Sequence, residues 1–76
     1  MSKEEVRDVI VTAFPKDGIA IAEGSTAAGK EFMNKKYGTV EKQTIPSGKI
    51  NSLFAEIKES LLHFSFKATE VVAVIT

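Results

Sequence analysis

The hydrophobic positions fall into one long helical stripe and several short alternating or unbroken runs. At about 100° per residue, Ile50, Leu53, Phe54, Ile57, Leu61 and Phe64 share an arc roughly 100° wide. Ser52, Glu56, Glu59 and His63 lie on the opposite side. The pattern predicts an amphipathic helix over residues 50–64, around which the other segments must pack. Six large side chains, at roughly 1.5–3 kcal/mol each when buried, would supply much of a small domain's cohesion. Leu62 falls off this stripe and is predicted to leave apolar surface for a partner.

The N-terminal third supports two readings. Ser2 and Glu5 have capping-box spacing, and Val6, Val9, Ile10 and Ala13 follow a helical stripe that ends before Pro15, which favours a helix over residues 6–14. The β-branched run Val9-Ile10-Val11-Thr12 suits a strand instead, and Pro15-Lys16-Asp17-Gly18 would then turn a hairpin. Residues 19–23 read as a short strand with Ile19 and Ile21 on one face. Ser25 is placed to cap a helix from Thr26 to about Tyr37, stopped by Gly38. Gly29 inside it costs about 1 kcal/mol against alanine, so either the helix starts later or a neighbour approaches closely there.

Residues 39–45 are polar on both faces and end at Pro46, as an edge strand or an ordered loop would. From Phe64 the pattern alternates, with Phe64, Phe66 and Ala68 against Ser65, Lys67 and Thr69. Residues 71–75 are then apolar without a break, as in a strand covered on both faces. The expected architecture is a single α+β domain over residues 1–76, with two or three helices packed on one face of a three- to four-stranded sheet. The alternative makes residues 8–23 a hairpin and gives four strands and two helices.

A chain of 76 residues has room for one core and little spare stability. With 43% hydrophobic and 26% charged residues it is expected to fold rather than stay disordered. The lack of cysteine excludes disulfides and thiolate chemistry. No run approaches the ~20 apolar residues of a membrane span, and Met1-Ser2-Lys3-Glu4-Glu5 does not open a signal peptide, so a cytoplasmic protein with no membrane partner is expected. The zero net charge is unevenly spread: −2 over residues 1–23, +3 over 24–49 and −1 over 50–76. An anionic partner would be steered to the middle third.

The sharpest motif is Gly24-Ser25-Thr26-Ala27-Ala28-Gly29-Lys30, which fits the phosphate-loop spacing G-x-x-x-x-G-K between a strand and a helix. Glu31 stands where a metal-binding Ser or Thr belongs, and the chain is too short for the parallel sheet that hosts such loops. A Gly-Ser turn and helix cap is the preferred reading, with no cofactor. Lys30, Lys35, Lys36, Lys42 and Lys49, with Tyr37 as a stacking group, are the candidate anion or nucleic-acid site. Lys30, Lys35 and Lys36 point to three sides of a regular helix, and nine lysines to one arginine is a poor set for reading bases.

His63, the single histidine, sits one turn after Glu59 on the polar side of the predicted helix and is explained by that i,i+4 pair. Spacing suggests no metal site, no carboxylate dyad and no nucleophile elbow, so catalysis is not expected. Two functions follow as expectations. The first is a non-catalytic interaction or regulatory module that self-associates or binds a protein partner through Leu62, Val71, Val72, Val74 and Ile75. The second is a nucleic-acid or anion binder using the lysines of residues 30–49.

Overall fold

The computed structural model describes residues 7–69. The chain opens with an antiparallel hairpin of β1 (Val9–Phe14) and β2 (Ile19–Gly24). A single 3₁₀ turn, Pro15–Asp17, joins them, and Gly18 closes it at φ 70°, donating its N–H to the Pro15 carbonyl at 3.1 Å. Proline presets the first turn position, and glycine accepts the left-handed backbone at no steric cost. The helix predicted over residues 6–14 is therefore wrong from Val9 onward, and the hairpin alternative is correct; Ser2 and Glu5 lie outside the described residues. Val9, Val11 and Ala13 face the core while Ile10, Thr12 and Phe14 lie on the other face. That is the period of two that the β-branched run prefers.

From β2 the chain passes into α1 (Ala27–Tyr37), then β3 (Lys42–Pro46), a 3₁₀ turn at Ser47–Lys49, α2 (Ile50–Glu59) and β4 (Phe64–Ala68). The four strands form one mixed sheet in the order β3-β2-β1-β4. β2 pairs antiparallel with both β1 and β3, whereas β4 runs parallel to β1, with Val9 opposite Phe64 and Val11 opposite Phe66. Among the described residues, two helices and four strands make a small α+β domain.

Both helices pack into one core. Met33 of α1 and Ile50, Leu53 and Ile57 of α2 meet Val9, Val11, Ala13, Ala20, Ala22 and Ile45 from one face of the sheet. Leu53, Ile57, Val9 and Val11 are its largest fully buried side chains, each contributing roughly 1.5–3 kcal/mol by burial. Ile19 and Ile21 do share a face, but it is Ala20 and Ala22 that are buried. Small side chains on β2 let α1 lie close.

α2 is shorter than the predicted 50–64. Its N-terminus at Ile50 is as expected, but it stops at Glu59. Leu61 takes φ 61°, its N–H bonds to the Lys58 carbonyl at 2.9 Å, and the Leu62 N–H bonds to the Ile57 carbonyl at 3.1 Å. This pair of bonds around a left-handed residue is a Schellman cap. It reverses the expected roles of the two leucines. Leu62 packs against the core beside its cap partner, and Leu61 is 87% exposed.

Phe64 and His63 leave the helix as a result, and Phe64 begins β4. The core is still reached, because Phe64 stacks on Phe54 with ring centroids 4.4 Å apart and planes 7° from parallel. Phe66 meets the same ring edge-on at 5.4 Å. The apolar run at residues 71–75 lies outside the described residues.

Candidate functional site

The phosphate-loop spacing is satisfied by close packing. Gly29 lies in the first turn of α1 directly against the backbone of Asp8, and a β-carbon there would overlap the Asp8 carbonyl oxygen. At Gly24 a β-carbon would fall 2.5 Å from both Cα and N of Lys30. Both glycines are needed so that the start of α1 can sit on the ends of β1 and β2. The close neighbour expected at Gly29 is Asp8.

The predicted cap at Ser25 is displaced by one residue. Thr26 is the N-cap, its Oγ1 accepting from the Gly29 N–H at 3.1 Å. The same hydroxyl donates to Asp8 Oδ1 at 2.5 Å. Ser25 contributes its backbone instead, donating N–H to the Asp8 carbonyl at 2.7 Å.

Asp8 ties three elements together. Its second carboxylate oxygen, Oδ2, accepts from the His63 N–H at 2.8 Å, and its own N–H donates to the His63 carbonyl at 2.8 Å. The carboxylate thus joins the start of β1 to the cap of α1 and the start of β4. Its pKa is held below the ordinary value, first by the His63 N–H, then by the Thr26 hydroxyl; desolvation opposes this, and the charge of His63 adds to it. The His63 ring is largely exposed, with Nδ1 3.7 Å from Asp8 Oδ2, so it belongs to this cluster and not to a pair with Glu59. The carboxylate already stands near the positive end of α1, where a phosphate would have to bind.

Beside this junction lies a cleft of about 540 Å³. Glu23, Gly24 and Ser25 form one side, Lys30 and Asn34 of α1 another, and Thr39, Val40 and Glu41 the third, with Ile10 and Met33 adding apolar wall. Gly38 makes the third side, because only glycine readily adopts its φ of 92° with an extended ψ. The Val40 N–H then closes a tight turn onto the Gly38 carbonyl at 2.9 Å. Glu23, Lys30 and Glu41 form no ion pair among the described residues.

The other lysines singled out from the sequence are spread over the molecule. Lys35 is 3.8 Å from Glu31 on the surface of α1. Lys36 bridges α1 to α2 by an ion pair with Glu56, and this hydrogen bond raises its pKa. Its ammonium also lies 5.4 Å from the centre of the Tyr37 ring. Tyr37 is half-buried against the core, and burial pushes its phenol pKa up. Lys42 stands opposite Glu23 across the β2–β3 pair, and Lys49 is exposed in its 3₁₀ turn. Val71, Val72, Val74 and Ile75 lie outside the described residues.

The remaining unusual surface is at β4, the end strand of the described sheet. The His63 carbonyl and the Thr69 N–H both bond to β1, at Val9 and Ala13. By the two-residue period, Ser65 and Lys67 also turn their backbone groups to β1, and Phe64, Phe66 and Ala68 turn theirs outward. Phe66 is 50% exposed beside this edge.

Sequence reasoning did not single out Asp8, Glu23, Glu41 or Phe66, which the fold brings to the α1 junction, the cleft and the β4 edge. The only cue to Asp8 was the apparent cost of Gly29 in a helix. Among the described residues there is no cluster of three or more His, Asp or Glu that could hold a metal ion, and no helix is long and apolar enough to cross a membrane. No family model matches this chain, and neither the curated proteins nor the solved structures contain a significant match to it.

Proposed function

We propose that this chain is a non-catalytic interaction module that self-associates by pairing the outer edge of β4 with a second copy. The observation that carries this reading is the outward backbone of Phe64, Phe66 and Ala68 together with the half-exposed Phe66 ring. An antiparallel pair about a two-fold axis at Phe66 sets Phe66 against Phe66 of the second copy and Phe64 against Ala68. All the outward N–H and C=O groups of these residues are then satisfied, and the sheet is continuous across the dimer. Ser65 falls opposite Lys67, so no like charges face each other. The same pairing removes a row of edge groups that have no partner among the described residues, which isolated domains normally protect.

The non-catalytic part of the reading is supported by Asp8, the one buried carboxylate of the described residues, whose two oxygens are engaged in structural hydrogen bonds. The alternative, an anion or nucleic-acid binder through residues 30–49, has less support. Lys35 and Lys36 are paired with glutamates, and Tyr37 is packed on the core. Mass measurement by light scattering across a concentration series tests the proposal. Phe66→Lys should shift the chain to a monomer while leaving its circular dichroism unchanged; an unchanged mass would count against β4.

A further inference from the structure

We propose that the cleft between β2, α1 and the segment 39–41 binds a small zwitterion with an apolar body, about the size of a dipeptide. Three observations carry it. The cleft, about 540 Å³, falls within the range of roughly 300–1,000 Å³ usual for small-molecule sites. It gathers charges of both signs, Lys30 against Glu23 and Glu41, and none of the three has an ion-pair partner among the described residues. Ile10, Met33 and Val40 are the apolar residues of the lining, and Val40 is 51% exposed.

The chemistry of the lining selects the class of ligand. The lining carries two carboxylates and one ammonium, with Lys42 opposite Glu23 just outside it, so the cleft has no excess of positive charge to draw phosphates or nucleotides despite the G-x-x-x-x-G-K spacing. A ligand ammonium meets Glu23 and Glu41, and a ligand carboxylate meets Lys30. A cation or an anion alone leaves one of these sets unanswered. The site is framed by the close packing at Gly24 and the glycine-only turn at Gly38, so its sides are set by the backbone. It shares no residue with the β4 edge, and its failure would leave the self-association reading untouched.

The test is a titration of the full chain with leucylleucine, followed by amide chemical shifts, alongside the N-acetylated and C-amidated forms of the same dipeptide and free leucine. The expected result is saturable shifts at millimolar ligand confined to Gly24, Ser25, Lys30, Asn34 and Val40. Blocking either terminus weakens binding about tenfold, the loss of one charge-assisted contact. Free leucine binding as tightly as the dipeptide would reassign the ligand to single amino acids and overturn the stated size. In Lys30→Met the penalty for amidation disappears, and in Glu23→Gln with Glu41→Gln the penalty for acetylation disappears. These residues are at the surface, so the variants should keep the wild-type spectrum elsewhere. Absence of saturable shifts, or equal binding of blocked and free dipeptide, overturns the proposal.

Discussion

Gly29 of α1 rests on the carbonyl oxygen of Asp8, with no space between them for a side chain. That contact brings the first turn of α1 against the start of β1 and makes room for the Thr26–Asp8 hydrogen bond. Gly29→Ala must push the helix off the sheet. Helix propensity alone would favour alanine by about 1 kcal/mol, but the overlap reverses the sign, and the expected net loss is about 3 kcal/mol or more. Urea denaturation decides between these. A stabilised Gly29→Ala variant would show that α1 does not pack as described.

The Asp8 carboxylate makes the fold sensitive to acid. Because its folded pKa lies below the usual 3.8, the folded state holds the ionised form more strongly than the unfolded chain does. Its contribution is therefore complete above about pH 5 and is lost as the pH falls through the folded value. Asp8→Asn keeps an acceptor for Thr26 but sets an amide N–H₂ against the His63 N–H. The variant should melt on the order of 10 °C below wild type at pH 7, and the gap should narrow below pH 4. A gap independent of pH would mean that shape, not charge, is what Asp8 supplies.

Leu61 occupies the left-handed position of the α2 cap, where glycine is the usual residue, and exposes 87% of its surface. Left-handed backbone costs an L-residue roughly 1–2 kcal/mol, partly offset in glycine by extra freedom in the unfolded chain. Leu61→Gly is expected to stabilise the domain by about 1 kcal/mol, raising Tm by roughly 4–8 °C. Thermal melts check it. A lower Tm would indicate that the Leu61 side chain makes a stabilising contact.

Lys36 and Glu56 link the two helices, yet both side chains remain partly exposed. Such a pair contributes less than about 1 kcal/mol and weakens with salt. Lys36→Met should therefore change the urea midpoint little, and the small difference should vanish at high salt. The Lys35→Ala, Lys36→Ala double variant should leave any binding of labelled single-stranded DNA or RNA unchanged. Loss of a steeply salt-dependent affinity in that variant would instead restore the lysine-rich segment as a functional site.

The parts of this fold that were legible in the sequence depend on local signals. Gly18 and Gly38 mark the turns where they occur, Ile50 opens its helix, and the polar residues before Pro46 form an edge strand. The errors come from long-range choices. Val9, Ile10 and Ala13 fit a helical stripe, while Val9, Val11 and Ala13 fit a strand equally well; pairing with Ala20 and Ala22 settles which period is used. Nothing in residues 59–62 announces the end of α2, because the left-handed position carries leucine instead of glycine. Ion pairs 20 residues apart, such as Lys36–Glu56, and the junction of Asp8 with His63, 55 residues away, exist only once the elements are packed.

The most direct test of edge pairing uses a proline at an outward-facing backbone position of β4. The Ala68 N–H points away from β1, so Ala68→Pro removes a hydrogen-bond donor only from the outer edge of β4 and leaves the internal ladder intact. Light-scattering masses of wild type and Ala68→Pro, measured over the same concentration series, should show a dimer for the first and a folded monomer for the second. Equal masses for the two proteins would contradict self-association through β4.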